Sequence, residues 1–302
     1  MPRTIAVTGG TGLIGRKVID ALLARGDAVV ALVRAAPRIE LPRDVEQREW
    51  SARGGPADLG DCDGVIHLAG APVAGGRWTA ARKQLIEASR VEGTRSVVEG
   101  IRAAGGSVQV LVSASGIDYH GNTGDKVIDE GDPPGNGFLA DVSVGWEEEA
   151  MRAKALGARV VTLRTGMVLA RESGALPKLL TPFRLGAGGP MGGGDQYWPW
   201  IHVADEVGLV LHALDDDRVE GPMLCVAPEP LRQRDFAKVL GKALHRPAIA
   251  PAPRFALRIA VGEMADALLA SHNARPKVAL ETGYCFQFPT LDQALADLLR
   301  KR

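Results

Sequence analysis

The amino-acid sequence predicts an α/β protein: a Rossmann-type, doubly wound parallel sheet with a smaller, α-rich C-terminal lobe. Two observations support this fold class. Strand-like and helix-like segments alternate over about the first 160 residues, as they do in parallel sheets with right-handed crossovers. In addition, a glycine-rich turn lies directly after the first strand and opens the first helix.

Six strands are predicted in order from short runs of apolar or β-branched residues. The run at 28–33 is apolar throughout, as expected of a strand covered on both faces. Between the strands, apolar residues recur at helical spacing, as Leu13, Val18 and Leu22 do. The predicted strands are 4–8, 28–33, 45–50, 65–68, 108–112 and 159–163, and the predicted helices are 12–25, 79–89, 92–104 and 138–156.

The pattern changes after Arg164. A glycine-rich loop at 186–194 is followed by three aromatic residues, and prolines become frequent after Ala227. We therefore predict a core made of 1–170 and 199–226 and a lobe made of 171–198 and 227–302. The further predicted elements are helices at 201–214, 232–244, 255–270 and 290–300 and a strand at 223–226.

Composition excludes several classes of protein. The 302 residues include 36 Lys and Arg and 36 Asp and Glu, so no net charge attracts nucleic acid or an anionic membrane. No apolar run approaches the ~18 residues of a membrane span, and no signal-peptide pattern precedes the first strand. Cys62, Cys225 and Cys285 lack CxxC spacing, and the six histidines lack HExxH spacing. We expect a cytoplasmic protein with reduced, buried thiols and no metal site.

The glycine-rich turn places glycines at positions 9, 12 and 15. Gly9 permits a tight turn, Gly12 allows a pyrophosphate to approach the backbone, and Gly15 allows close packing of helix on strand. The N–H groups at the start of the helix would then face the anion. The alternative is an ordinary strand–turn–helix with incidental glycines.

The end of the second strand distinguishes the two nicotinamide cofactors. An acidic residue there would bind a free ribose 2′-hydroxyl, but this chain has Arg34 and Arg38 and no acid between Ala28 and Arg38. A guanidinium binds a 2′-phosphate through charge-assisted hydrogen bonds. We therefore predict NADP(H), the alternative being that both arginines are solvated surface charges.

Several ordered segments resemble the extended or atypical short-chain dehydrogenase/reductase superfamily, and within it the NAD(P)-dependent epimerase-like proteins with a C-terminal domain of unassigned role. The resemblance covers nearly the whole chain. Its segments are TGGTGLIG (8–15), HLAGAPVAGGRWT (67–79), SRVEGTRSVVEGI (89–101), VSASGIDYHGNTGD (112–125), VVTLRTGMVLARESGAL (160–176), YWPWIHVAD (197–205) and the stretch from RQRDFAKVLGKALHRPAI to GYCFQFPTLDQAL.

The resemblance implies a set of cofactor-binding positions at the carboxyl ends of the strands, where open parallel sheets bind ligands. Residues 11–14 would follow the pyrophosphate, 68–71 would lie beside the adenosine ribose, and 112–113 would flank the nicotinamide. The segment after Arg164 would pass the carboxamide. With the residue-based predictions, the cofactor set is Gly9, Thr11, Gly12, Leu13, Ile14, Gly15, Arg34, Arg38, Leu68, Ala69, Gly70, Ala71, Ser113 and Arg164.

The catalytic residues of the family are only partly present. Its hydride-transferring members use a Ser or Thr after the fifth strand, which Ser115 matches, and a Tyr-x-x-x-Lys pair on the next helix. The lysine lowers the pKa of the tyrosine, and a spacing of four places both groups on one helix face. All three tyrosines lack the lysine, because the fourth residue after each is Thr123, Ile201 or Phe288.

Replacement groups can be named, each with a structural alternative. Ser115 and Tyr119 are the catalytic candidates, and His120 follows in the same loop. The alternative for Tyr119 and His120 is a solvated loop residue, which is the more common role of tyrosines and histidines in loops. Asp118 and Asp125 are expected to form turns, and His67 is expected to be a hydrogen-bonded core residue. Either an anionic substrate or an ion pair would suit Arg164, and Trp198 and Trp200 could line a substrate pocket or pack the lobe.

Three functions remain open from the sequence. The first is an NADP(H)-dependent oxidoreductase or epimerase acting on a small carbonyl or alcohol, with Ser115 or water assisting the proton step. The second, suggested by the missing Tyr/Lys pair, is a non-catalytic NADP(H)-binding regulatory or sensor protein. The third is a structural scaffold. A homodimer paired through sheet-flanking helices is also considered, although no helix shows a decisive apolar stripe.

Overall fold

A seven-stranded parallel sheet forms the centre of the protein, as seen in a computed structural model that describes residues 2–34 and 40–300. The seven strands are β1 (Thr4–Thr8), β2 (Ala28–Val33), β3 (Val45–Glu49), β4 (Gly64–His67), β5 (Val110–Gly116), β7 (Arg159–Thr165) and β11 (Gly221–Cys225). Across the sheet they are ordered β11-β7-β5-β4-β1-β2-β3. This is the doubly wound arrangement, in which the chain builds outward in both directions from β1.

Helices cover both faces of the sheet and create two apolar layers. On one face, Val18 and Leu22 of the first helix pack with Val210 of the fifth. On the other, Val97 of the second helix packs with Ala150 of the third. The predicted fold class is confirmed. The covering helices are α1 (Leu13–Ala24), α2 (Ala80–Ala103), α3 (Phe138–Met151) and α5 (Val203–Asp215).

The predicted strands are all present, with ends that differ by up to four residues. The largest difference is at β5, which continues to Gly116 and therefore includes Ser115. The two helices predicted over 79–104 were wrong, because α2 is a single helix of 24 residues. Neither glycine nor proline stands between Ser89 and Glu92 to end it.

The C-terminal part of the chain packs around a separate apolar cluster that includes Leu176, Trp198, Trp200 and Phe236. The helix predicted at 255–270 was wrong, since Gly262, at φ +66°, ends one helix and a second begins just after it. The remaining elements are β6 (Val127–Ile128), β8 (Met167–Leu169), α4 (Ala175–Arg184), β9 (Tyr197–Trp198), β10 (Trp200–His202), β12 (Leu231–Arg232), α6 (Gln233–Ala243), α7 (Arg254–Val261), α8 (Met264–Leu269), β13 (Asn273–Ala274), α9 (Lys277–Glu281) and α10 (Leu291–Leu298).

Asp205 ties this C-terminal part to the sheet. Its carboxylate, on α5, accepts hydrogen bonds from the backbone N–H groups of Gln287 at 2.7 Å and Phe288 at 2.9 Å, and from the Tyr284 hydroxyl at 3.2 Å. The side chain is completely buried, so these bonds satisfy a carboxylate that would otherwise be costly to bury.

Two composition-based expectations can be compared with the structure. All three cysteines are free thiols, and Cys62 and Cys225 are buried. Cys285 is exposed, so the expectation that all three thiols are buried was wrong. Within the part of the chain that the structure describes, no helix is long and apolar enough to cross a membrane, and no group of three or more metal-ligating side chains is found.

Candidate active site

The glycine turn between β1 and α1 is shaped by close backbone contacts. Gly9 adopts a φ of +69°, and a Cβ on it would lie 2.8 Å from the carbonyl carbon of Leu68. A Cβ on Gly15 would collide with the carbonyl oxygen of Gly9. Gly12 caps α1 without a side-chain hydrogen bond, and the first turn of α1 carries no acidic residue. The N–H groups at this helix start are therefore free to bind an anion.

A cleft of about 450 Å³ opens over this turn. Arg34, which is exposed directly after β2, lines the cleft together with Trp50 and Ser89. This combination of a helix N-terminus and a guanidinium suits an anionic ligand such as the diphosphate of a dinucleotide. The predicted residues that line the cleft are Gly9, Thr11, Gly12, Arg34, Leu68, Ala69, Gly70 and Ala71.

Other predicted cofactor positions lie outside the cleft lining. Leu13, Ile14 and Gly15 form the first turn of α1, and Ser113 is buried within β5. Arg38 lies outside the residues that the structure describes.

His67 holds the loop that forms one wall of the cleft. Its Nδ1 lies 2.7 Å from the Thr8 hydroxyl, and its Nε2 lies 3.1 Å from the hydroxyl of Thr94. The Thr8 oxygen accepts hydrogen bonds from the N–H groups of Leu68 and Ala69, both at 3.1 Å. Complete burial lowers the pKa of His67 to about 4, so the ring is neutral. The expectation of a hydrogen-bonded core histidine is confirmed.

Ser115, at the end of β5, belongs to a buried polar network. Its hydroxyl donates to Glu147 on α3 at 2.7 Å. The two oxygens of Glu147 also accept from Arg164, from Nε at 2.8 Å and from Nη2 at 2.9 Å. A bidentate ion pair of this kind is strong and directional. The Ser115 hydrogen therefore points toward Glu147, and the lone pairs of its oxygen remain free to accept.

The side chain of Arg164 is fully used inside the protein. Its third donor, Nη1, bonds the carbonyl oxygen of Glu130 at 3.1 Å, and its Cζ lies 3.4 Å from the centre of the Tyr119 ring. Only 3% of the residue is exposed. The structure thus corresponds to the ion-pair alternative, and a cofactor contact at this position would involve the segment after Arg164 and not its guanidinium. The guanidinium of Arg164 stacks on the ring of Tyr119.

Three further residues near Ser115 complete the site, and the sequence named only one of them, Asp118, as a turn residue. Asp118 accepts a backbone turn bond from the N–H of Gly121 at 2.8 Å, as expected of a turn residue, but burial also raises the pKa of its carboxyl to about 6. Ser143 on α3 is buried close to Gly116. Glu147 was missed because it lies in a run of three glutamates, and only its packing distinguishes it.

The fold and the glycine-turn cleft together define a dinucleotide-binding protein of the extended short-chain dehydrogenase/reductase type. Residues 5–225 match the NAD dependent epimerase/dehydratase family, and residues 252–298 match a domain of unknown function, DUF1731. The chain belongs to the NAD dependent epimerase/dehydratase family, as the resemblance in the sequence implied.

Individual relatives span the same length as this chain. It is 36% identical to the epimerase family protein SDR39U1 of Mus musculus, covering 98% of this chain and 99% of the relative. Identity to the epimerase family protein YfhF of Bacillus subtilis is 34%, with 99% and 98% covered. Among solved structures, human SDR39U1 with NADPH superposes with a TM-score of 0.86 at 31% identity, covering 98% of both chains.

Proposed function

We propose that the protein is an NADP(H)-dependent oxidoreductase acting on a small carbonyl or alcohol. The observation that carries this proposal is the cleft that joins the glycine turn to Arg34. A helix N-terminus suits a diphosphate, and a guanidinium where other dinucleotide-binding folds carry an acid suits a 2′-phosphate. The solved structure of the human relative, described as a complex with NADPH, supports the same cofactor.

When bound, NADP(H) would supply or accept the hydride, and the protein residues would position the reactants and handle the proton. Ser115 accepts a hydrogen bond from the hydroxyl of the alcohol, whether substrate or product, because its own hydrogen is held by Glu147 at 2.7 Å. Asp118, whose Oδ2 would lie 3.9 Å from a Cβ on Gly116, is the group that we assign to the proton exchange, and burial raises the pKa of its carboxyl to about 6. A general acid or base is most effective when its pKa lies near the working pH.

A second candidate function is a cofactor-binding sensor without catalysis. One observation favours it: none of the three tyrosines is followed by lysine at the fourth position, and the helix α3 contains neither a tyrosine nor a lysine. In such a protein the cleft would bind NADP(H), and occupancy would alter a surface recognised by another protein.

Stereospecific oxidation of NADPH with a panel of small aldehydes and ketones separates the two candidates. Oxidation with at least one carbonyl, slowed about tenfold or more in Ser115→Ala, is expected of the enzyme. Ser173→Ala, which changes an exposed serine, serves as the control. Tight NADPH binding without turnover favours the sensor, and turnover that Ser115→Ala leaves unchanged contradicts the role of Ser115.

A further inference from the structure

Two partly exposed aromatic side chains, Trp78 and Phe138, pack against each other at the carboxyl edge of the sheet. Their ring centres are 5.3 Å apart and their planes are inclined by 66°, which is the edge-to-face geometry that aromatic pairs favour. Trp78 lies just before α2, the helix after β4, and Phe138 begins α3, the helix after β5. In a parallel sheet these helices start at the carboxyl edge, where ligands bind. Neither ring is fully buried, so part of the aromatic surface is open to a ligand.

On one side, the aromatic pair adjoins the cofactor cleft. The indole Nε1 of Trp78 donates a hydrogen bond to the carbonyl oxygen of Val73 at 3.1 Å. Val73 directly follows Pro72, which lines the cleft. The ring of Trp78 is therefore fixed to the end of the loop that forms one wall of the cleft.

On the other side, the pair adjoins the turn that carries Asp118. Gly135, three residues before Phe138, donates its backbone N–H to the carbonyl oxygen of Tyr119 at 2.9 Å, and Tyr119 directly follows Asp118. A carbonyl compound held between the cofactor and Asp118 would therefore have its remaining part beside Trp78 and Phe138.

The polar groups closest to the two rings already have partners within the protein. The Nζ of Lys83 lies 5.3 Å from the centre of the Phe138 ring and pairs with the carboxylate of Glu263. The N–H of Trp78 is used by the Val73 carbonyl oxygen. The pair thus offers a ligand ring surface, and the hydrogen-bonding groups beside it are occupied.

The C-terminal part of the chain borders the same surface. Glu263, which pairs with Lys83, stands directly before α8. Arg77, next to Trp78 in the chain, donates a hydrogen bond to the carbonyl oxygen of Ile259 on α7. A ligand at the aromatic pair would therefore lie where the sheet edge meets the C-terminal helices, and such junctions are common positions of small-molecule sites.

We propose that Trp78 and Phe138 form the substrate-recognition wall, and that the substrate is a carbonyl compound, or the corresponding alcohol, that carries an aromatic ring. This proposal rests on the proposed function and names its substrate class. A planar aromatic group gains from packing on aromatic faces and edges. A polyhydroxylated substrate would instead bring hydroxyl groups to a surface whose indole N–H and ammonium group are already paired.

The test compares two aldehydes of the same carbon skeleton, phenylacetaldehyde and cyclohexylacetaldehyde, through the kcat/KM of NADPH oxidation. The unaltered protein should prefer the phenyl compound about threefold or more. Trp78→Leu and Phe138→Leu should each remove most of this preference by raising the KM of the phenyl compound. Trp78→Phe, which keeps a ring without the N–H, should retain it. The control is Leu280→Ala, which removes a half-exposed side chain from α9, a helix packed on the edge strand β11.

Other kinetic results would overturn the proposal. One is a kcat/KM for glyceraldehyde, a small hydroxylated aldehyde, that exceeds the value for phenylacetaldehyde in the unaltered protein. Another is an equal loss with the phenyl and cyclohexyl compounds in Trp78→Leu and Phe138→Leu, together with a lowered melting temperature. The pair would then only pack the start of α2 against α3.

A binding measurement separates this proposal from the proposed function. If NADPH binds but no aldehyde is reduced, the oxidoreductase assignment fails. Calorimetry of the NADPH complex with 2-phenylacetamide and 2-cyclohexylacetamide, which are unreactive carbonyl compounds, then decides the role of the wall. Tighter binding of the phenyl amide, lost in Trp78→Leu, supports the wall. Equal binding of the two amides, or binding of neither, overturns it.

Discussion

Glu147 accepts hydrogen bonds from two side chains that come from different strands, Ser115 from β5 and Arg164 from β7. Both oxygens are used, and the residue is only 9% exposed. Its neighbour Glu148 is exposed on the same helix. The sequence alone does not distinguish these two adjacent glutamates. Their different burial results from the orientation of α3 against the sheet, which places Glu147 inside and Glu148 in solvent.

The Glu147→Gln variant tests this residue-scale account. An amide cannot neutralise Arg164, which would remain buried without a counter-charge. Removing one partner of a buried ion pair costs roughly 3–5 kcal/mol, so the free energy of unfolding in urea should fall by about that amount. Glu148→Gln is the matched control and should change it by less than about 0.5 kcal/mol. Equal stabilities for both variants would mean that the pair contributes nothing.

At the scale of the elements, local signals predicted the strands better than the helix boundaries. The apolar runs of β1 and β2 were located to the residue, because a strand buried on both faces leaves a continuous pattern. The helix α2 was divided where its apolar pattern weakens near Ser89, although Ile86 and Val97 are both buried by it. Conversely, α7 and α8 were merged across Gly262, whose left-handed backbone conformation ends a helix.

The helix α5 carries a buried carboxyl group that makes stability depend on pH. Glu206 is 1% exposed, accepts a hydrogen bond from the Thr165 hydroxyl at 2.9 Å, and has a pKa raised by burial from 4.5 to about 8. The folded protein therefore keeps a proton that the unfolded chain loses. The stability from this group is fully present below about pH 4.5 and is lost as the pH rises through about 8.

Replacement of Glu206 by Gln should remove this dependence. The neutral amide keeps the shape of the protonated acid, so Glu206→Gln should be more stable than the unaltered protein at pH 8, and the difference should shrink toward pH 5. One pKa unit corresponds to about 1.4 kcal/mol, which sets the scale of the change. Urea unfolding from pH 5 to 8 measures it, with exposed Glu229→Gln as the control. Parallel profiles for all three proteins would contradict the assignment.

At the scale of the whole molecule, the sequence predicted the parts of the site that one continuous segment builds. The spacing of the glycines between Thr8 and Gly15 indicated the turn directly. Arg34 was found because it lies at the end of the second strand, the position that distinguishes the two nicotinamide cofactors. Glu147 could not be found in this way, because its partners come from β5 and β7, which are distant from it in sequence. The sequence therefore indicated the adenosine end of the cofactor cleft more completely than the reacting end.

The central claim is that the cleft between the glycine turn and Arg34 selects NADP(H). The most direct measurement is a pair of dissociation constants, for NADPH and NADH, determined by calorimetry on the unaltered protein and on Arg34→Ala. A charge-assisted contact to the 2′-phosphate predicts that NADPH binds about tenfold or more tightly than NADH, and that Arg34→Ala removes most of this preference. Equal or tighter binding of NADH by the unaltered protein would contradict the claim.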